Sequence, residues 1–201
     1  MIDTLRSVLR FRRIELDATK RRLARSANVD DLRTIAKRRL PGGVFDYIDG
    51  GAEDERTLAA NSDAFARRTF QPRVLRDVGE VDPSTTLLGR PLSLPLVLAP
   101  TGFTRIADPE GELAVARAAQ RANVPYTLST MATRSIEEVA AVNAGSKWFQ
   151  VYMWRDRGLV KDLIDRAAHA GYEALVLTVG CSNMGPFHSA KLEERRWGSV
   201  E

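Results

Sequence analysis

The chain has 201 residues, 44% hydrophobic, 28% charged and 7% aromatic, which excludes a disordered tail, a collagen-like fibre and a disulfide scaffold. No stretch approaches the roughly 20 apolar residues of a membrane span, and arginines 6, 10, 12 and 13 interrupt any signal-peptide core, so a cytoplasmic location is expected. The formal charge of +4 is uneven: residues 1–40 hold 12 Lys/Arg against 5 Asp/Glu, and the remainder is slightly acidic.

Residues 1–28 form a basic leader. It suits acidic lipid headgroups or an acidic partner, against the plainer reading of a solvated, partly frayed extension. No aromatic platform accompanies it, so nucleic-acid binding is not expected. Residues 29–40 (VDDLRTIAKRRL) read as a helix, with Asp30 or Asp31 as cap and Leu32, Ile35, Ala36 and Leu40 at helical spacing. Pro41-Gly42-Gly43 breaks it. A second helix starts over 44–48, before Gly50-Gly51, and a third covers 53–65 with Leu58, Ala59, Ser62 and Phe65 on one face. Residues 70–95 are loop-rich, with a hairpin-like stretch around 86–94.

The pattern then changes. Residues 95–100 (PLVLAP) read as a buried strand, and 108–123 as an alanine-rich helix with Pro109 near its start. A second strand covers 126–129, and a short helix covers 135–142 with Ser135 and Glu138 spaced as a capping box. A third strand spans 147–153 (KWFQVYM), a helix spans 157–170 and closes at Gly171, and a fourth strand spans 174–179 (ALVLTV). Strand starts near 96, 126, 148 and 174 are 30, 22 and 26 residues apart. Strands alternating with helices argue for a parallel sheet, and the even spacing suits a (β/α)8 barrel. A doubly wound sheet is the alternative; no G-x-G-x-x-G follows the first strand. The four organisational segments are the leader 1–28, a helical segment with a small hairpin 29–95, half a barrel 96–179, and a tail 180–201 outside the repeating pattern. A barrel needs on the order of 200 residues, so the chain is expected to stop after about four βα units.

In a barrel, chemistry gathers at the C-terminal strand ends. That rule selects Pro100-Thr101-Gly102, Ser129-Thr130, Gln150 with Tyr152, and Thr178. The set offers hydroxyls, one amide and exposed backbone. It can hydrogen-bond a planar polar cofactor but supplies no metal site and no nucleophile–base pair. Gln150 between Phe149 and Val151 is the sharpest hint, because a buried amide needs partners. Taken alone, Ser129 and Thr178 read as caps or turn formers more readily than as ligands, and Tyr47 as ordinary helix packing. His169 falls on a helix, His188 in the tail, and Cys181 has no neighbour that marks a low-pKa thiol.

Four runs carry a resemblance: LPGGVFDYIDGGAEDERTLAAN (40–61), LAPTGFTRIADPEGELAVARAA (98–119), LSTMATRSIEEVA (128–140) and KWFQVYMWRDR (147–157). Over about residues 28–179 the chain resembles the FMN-dependent α-hydroxy acid dehydrogenase and oxidase family, and most the bacterial L-lactate dehydrogenases. The resemblance implies a TIM barrel, FMN as cofactor, and oxidation of an L-2-hydroxy acid to the 2-oxo acid. By the same implication Tyr47 and Tyr152 bind substrate, with the Tyr152 hydroxyl near the reacting centre. Pro100, Thr101 and Gly102 lie along the flavin through backbone contacts, and Ser129, Gln150 and Thr178 hydrogen-bond it. A quinone, a cytochrome or oxygen takes the electrons. The leader suits peripheral docking at the inner membrane face, and family members form homo-oligomers. The family's fourth strand ends T-V-D where this chain has Thr178-Val179-Gly180, and Pro186-Phe187 follow Gly185 where the family has arginine. The expectation is therefore that the family's second half, with its lysine, histidine base, arginine clamp and phosphate loops, is missing. This chain alone is then expected to have little or no dehydrogenase activity. A frameshift or premature stop would account for the change at Gly180; the non-catalytic alternatives are a truncated remnant or an interaction module led by the basic segment.

Overall fold

A computed structural model describes residues 16–179, and within it the chain divides into two compact units at Gly50–Gly51. In the first unit, α1 (Ala18–Leu23) starts at Asp17, whose carboxylate accepts from the backbone N–H of Thr19 and Lys20. α2 (Val29–Arg39) is capped by Asn28, not by Asp30 or Asp31: the Asn28 side chain accepts from Asp31 N–H at 2.9 Å. The Asp31 carboxylate in turn accepts from the N–H of Ala27, the residue before the cap, at 2.7 Å. Pro41, unable to donate a backbone hydrogen bond, ends the run, and α3 (Gly42–Asp49) follows. Arg33 pairs with Asp49, and the Lys37 ammonium sits 5.9 Å from the centre of the buried Phe45 ring, tying α2 to α3. Residues 1–15 of the leader lie outside the described residues.

The second unit opens with α4 (Arg56–Ala66), which starts later than its sequence pattern suggests because Glu53 and Glu55 both adopt left-handed backbone conformations. β1 (Thr85–Leu87) and β2 (Arg90–Leu92) form the antiparallel hairpin, with Leu88 and Gly89 both at positive φ, the signature of a turn that matches strand twist. Residues 95–100 do not form a full strand. Leu98 makes one parallel bridge with Tyr126, its N–H donating to Pro125 O and its carbonyl accepting from Thr127 N–H. Pro95 and Pro100 remove two donors from this run, and Leu96 turns back onto Leu94 and is half exposed.

The rest is α/β. α5 (Glu112–Ala122), β3 (Tyr126–Leu128), α6 (Ile136–Val142), β4 (Lys147–Tyr152), α7 (Arg157–His169) and β5 (Ala174–Thr178) follow in order. The strands form one parallel sheet, β3-β4-β5, with Leu128 opposite Phe149, Gln150 opposite Val176 and Tyr152 opposite Thr178. Alternation along the strands separates two faces. Tyr126, Leu128, Phe149 and Val151 face the helices and pack with Ala116, Ala119, Val139 and Ala167, small side chains that let helix backbones approach the sheet. Thr127, Trp148, Gln150, Tyr152 and Thr178 occupy the opposite face, which is rich in polar and aromatic groups. The capping box of α6 forms as its spacing predicts: Ser135 Oγ accepts from Glu138 N–H, and the Glu138 carboxylate accepts from Ser135 N–H. Among the described residues, no helix is long and apolar enough to cross a membrane.

Candidate active site

Gln150 organises the C-terminal end of the sheet. Its Oε1 accepts from the Thr130 backbone N–H at 3.1 Å and lies 3.3 Å from Ser129 Oγ. A backbone N–H can only donate, so the amide orientation follows: oxygen toward β3, Nε2 toward β5. Ser129 must then donate to Gln150, while its oxygen accepts from Met131 N–H at 3.1 Å. Across the strand pair, Nε2 donates to Thr178 Oγ1 at 2.7 Å. The Thr130 hydroxyl donates to the Gln150 carbonyl and closes the arrangement from the other side. Directed hydrogen bonds thus run across all three strand ends. Ser129 and Gln150 are buried and Thr178 is half-buried.

Counting donors shows what is left over. Thr178 accepts from Gln150, so its own hydroxyl hydrogen is not consumed, and neither is the second Nε2 hydrogen. These two donors at a strand end suit the oxygen and ring-nitrogen acceptors along the edge of a planar polar ring such as a flavin. No cluster of three or more His, Cys, Asp or Glu capable of holding a metal occurs among the described residues.

The loop after the bridged segment reaches the same end. Phe103 N–H donates to Met131 O at 3.0 Å, and Gly102 lies so close to Met131 that a Cβ there would stand 3.1 Å from the methionine Cβ. Pro100 and Thr101 are exposed and Gly102 is half-buried beside them. Tyr152, half-buried, is the last residue of β4 and lies beside Thr178 in register. Pro100, Thr101, Gly102, Ser129, Gln150, Tyr152 and Thr178 therefore share one end of one sheet. Tyr47 is on α3 in the other unit and is 43% exposed. His169 is exposed on α7, with Nδ1 at 2.6 Å from the Asp165 carbonyl oxygen, which leaves it as a helix-surface residue. His188, Cys181 and the segment 180–201 lie outside the described residues.

Reading the strand ends alone misses Glu112. This fully buried carboxylate accepts from the Thr133 backbone N–H at 2.8 Å and from the Thr133 hydroxyl at 2.7 Å. Burial pushes its pKa up, but the Thr104 hydroxyl nearby and the hydrogen bonds from Thr133 outweigh this and hold it below the ordinary value. Glu112 thereby fastens the loop after Ser129 to the start of α5. The signal was present in the sequence: Glu112 precedes Ala116 and Ala119 at i, i+4 and i+7, on the buried stripe of the helix.

Comparison with known proteins follows the same line. Residues 36–191 match the profile of the FMN-dependent dehydrogenase family, a span that runs past Gly180, further than the sequence motifs reach. The chain is 47% identical over 198 residues to a candidate L-lactate dehydrogenase of Mycobacterium tuberculosis, covering 98% of this chain and 47% of that protein. It is 48% identical to glycolate oxidase of Spinacia oleracea over 79% of this chain and 43% of that enzyme. Among solved structures it is similar to mandelate oxidase, with a TM-score of 0.78, 41% identity and coverage of 88% of this chain and 52% of that one. A soluble mutant of the membrane-associated (S)-mandelate dehydrogenase of Pseudomonas putida is similar as well, at TM-score 0.78 and 39% identity, over 84% of this chain and 48% of that one. The chain spans about half the length of the curated relatives it matches.

Proposed function

The chain belongs to the FMN-dependent dehydrogenase family, and on that premise we propose that it carries the flavin-facing strands of an enzyme that oxidises an L-2-hydroxy acid, L-lactate first, to the 2-oxo acid. The bridged segment at Leu98 and strands β3, β4 and β5 are the first four staves of a (β/α)8 barrel. The observation that carries this reading is the directed hydrogen-bond chain centred on Gln150, a buried amide that leaves one of its own donors and the Thr178 hydroxyl hydrogen unused at the strand ends.

Gln150 and Thr178 would hold the flavin edge, Ser129 would fix the Gln150 amide and add a contact, and Pro100, Thr101 and Gly102 would lie along the ring with their backbone. When bound, FMN takes up the two electrons that the hydroxy acid gives up. Tyr152 would place its hydroxyl beside the substrate, and Tyr47 would bind the carboxylate. The loop at Met131 and the residues after Thr101 would border the substrate's side chain. L-Lactate is favoured because the match to the candidate L-lactate dehydrogenase runs over nearly the whole chain, whereas that to glycolate oxidase covers 79% of it. A quinone, a cytochrome or oxygen would accept the electrons, the basic leader would sit against an anionic membrane, and copies would associate.

The proposed site offers hydroxyls, an amide and a phenol, with no imidazole or carboxylate among them to take the substrate hydroxyl proton. A positioned base contributes a factor of about 100 to 10,000, so turnover by this chain alone should be slight. The test is to purify the 201-residue chain with added FMN, record the flavin absorbance that survives gel filtration, and assay lactate-dependent dye reduction. Retained flavin with little turnover is expected. No flavin retention at any FMN concentration, with the chain folded by circular dichroism, would count against the assignment of these residues.

A further inference from the structure

Arg22 of α1 and Ile35, Arg38 and Arg39 of α2 line a cavity of about 260 Å³ that is broadly open to solvent, and the three arginines are exposed. Among the described residues its lining holds three arginines and no carboxylate. Arg22, Arg38 and Arg39 form no ion pair and no side-chain hydrogen bond among the described residues, while Arg33 on the same helix is paired with Asp49. The usual reason for basic residues in these positions is the negative end of each helix dipole, and all three do lie in last turns. That reason accounts for a cation on each helix. It does not account for three of them, from two helices, opening on one cavity without a counter-charge.

We propose that this cavity binds a phosphate ester. Guanidinium groups match phosphate oxygens with paired N–H donors, and several of them converging supply both the charge and the geometry. At about 30 Å³ per water, the cavity has room for a phosphate group and the first atoms attached to it. Ile35, half-buried, gives those atoms an apolar wall. The ester could be a soluble monoester or a lipid headgroup; the chemistry recognised is the same. This inference stands apart from the flavin reading, since it uses only residues of the first unit.

The full chain is titrated calorimetrically with glycerol phosphate at fixed ionic strength, and separately co-sedimented with vesicles of phosphatidylglycerol in phosphatidylcholine. Saturable binding is expected in at least one arm, weakened tenfold or more in an Arg38→Gln/Arg39→Gln variant. A Lys20→Gln/Arg25→Gln variant, with the same loss of charge outside the cavity, should bind as the parent does. Binding of the ester in solution identifies a soluble ligand, and binding to vesicles alone identifies a headgroup. If the double variant loses its helical circular dichroism, Arg22→Gln, on the other helix, makes the same comparison. No binding in either arm, or an equal loss in the charge-matched control, overturns the proposal.

Discussion

Gln150 and Glu112 show how single buried polar groups govern this molecule. Replacing Gln150 by Met keeps the volume but leaves the Thr130 N–H and the Ser129 hydroxyl without their acceptor, at about 1–3 kcal/mol for each buried group left unpaired. Gln150→Met should therefore lower stability in urea and also reduce flavin retention, and equal flavin retention by variant and parent would contradict the role given to the amide. Glu112→Gln replaces two acceptor oxygens with one, against a threonine that donates twice. A loss of about 1–3 kcal/mol is expected. The pH dependence has a definite sign. A carboxyl held below its ordinary value of 4.5 contributes stability above that pH and loses it as the pH falls through the depressed value. The gap between parent and Glu112→Gln should thus be full at neutral pH and shrink on acidification below about 4.5, as urea midpoints at a series of pH values would reveal.

The helices and strands owe their limits to local chemistry. α6 has seven residues, too few to hold its shape by propensity, and depends on its reciprocal cap. Ser135→Ala should cost about 1 kcal/mol, read as a shift in the urea midpoint with unchanged slope. α6 is also joined to α7 by Glu137 and Arg166, whose paired contacts of 2.9 Å, together with the Arg166 charge, hold the Glu137 carboxyl down at about 2. Both side chains are largely exposed, so water and salt screen the pair and Glu137→Gln should matter far less than Ser135→Ala. At the start of α5, Gly111 has φ +54°, and a Cβ there would come within 2.6 Å of Arg105 Cγ. Gly111→Ala should shift the turn that carries Arg105, destabilising by on the order of 1–3 kcal/mol, measurable by thermal unfolding.

Across the second unit, the sheet is covered on one face over β3 and β4, while Leu175 and Leu177 of β5 are each about half exposed on that same face. An exposed apolar strand of this kind favours association between copies. Leu177→Lys should reduce self-association, followed by light scattering against concentration, with little loss of stability because the leucine has little packing to lose.

Much of this was legible in the order of residues. The helix at α2, the capping box at Ser135, the hairpin, and the alternation of strand and helix after residue 95 are local patterns, set by spacing, caps and turn residues that act within a few positions. Gln150 stood out because an amide inside an apolar run has to find partners. What chain order could not supply is which partners, since Thr130 and Thr178 lie 20 and 28 residues away and meet Gln150 only through parallel strand register. Nor could it show that residues 95–100 make a single bridge instead of a strand, or that Glu112 holds the loop after Ser129, or that three arginines from two helices share a cavity. Those outcomes depend on distances between segments remote in sequence, and such distances are decided only when the sheet pairs and the helices pack.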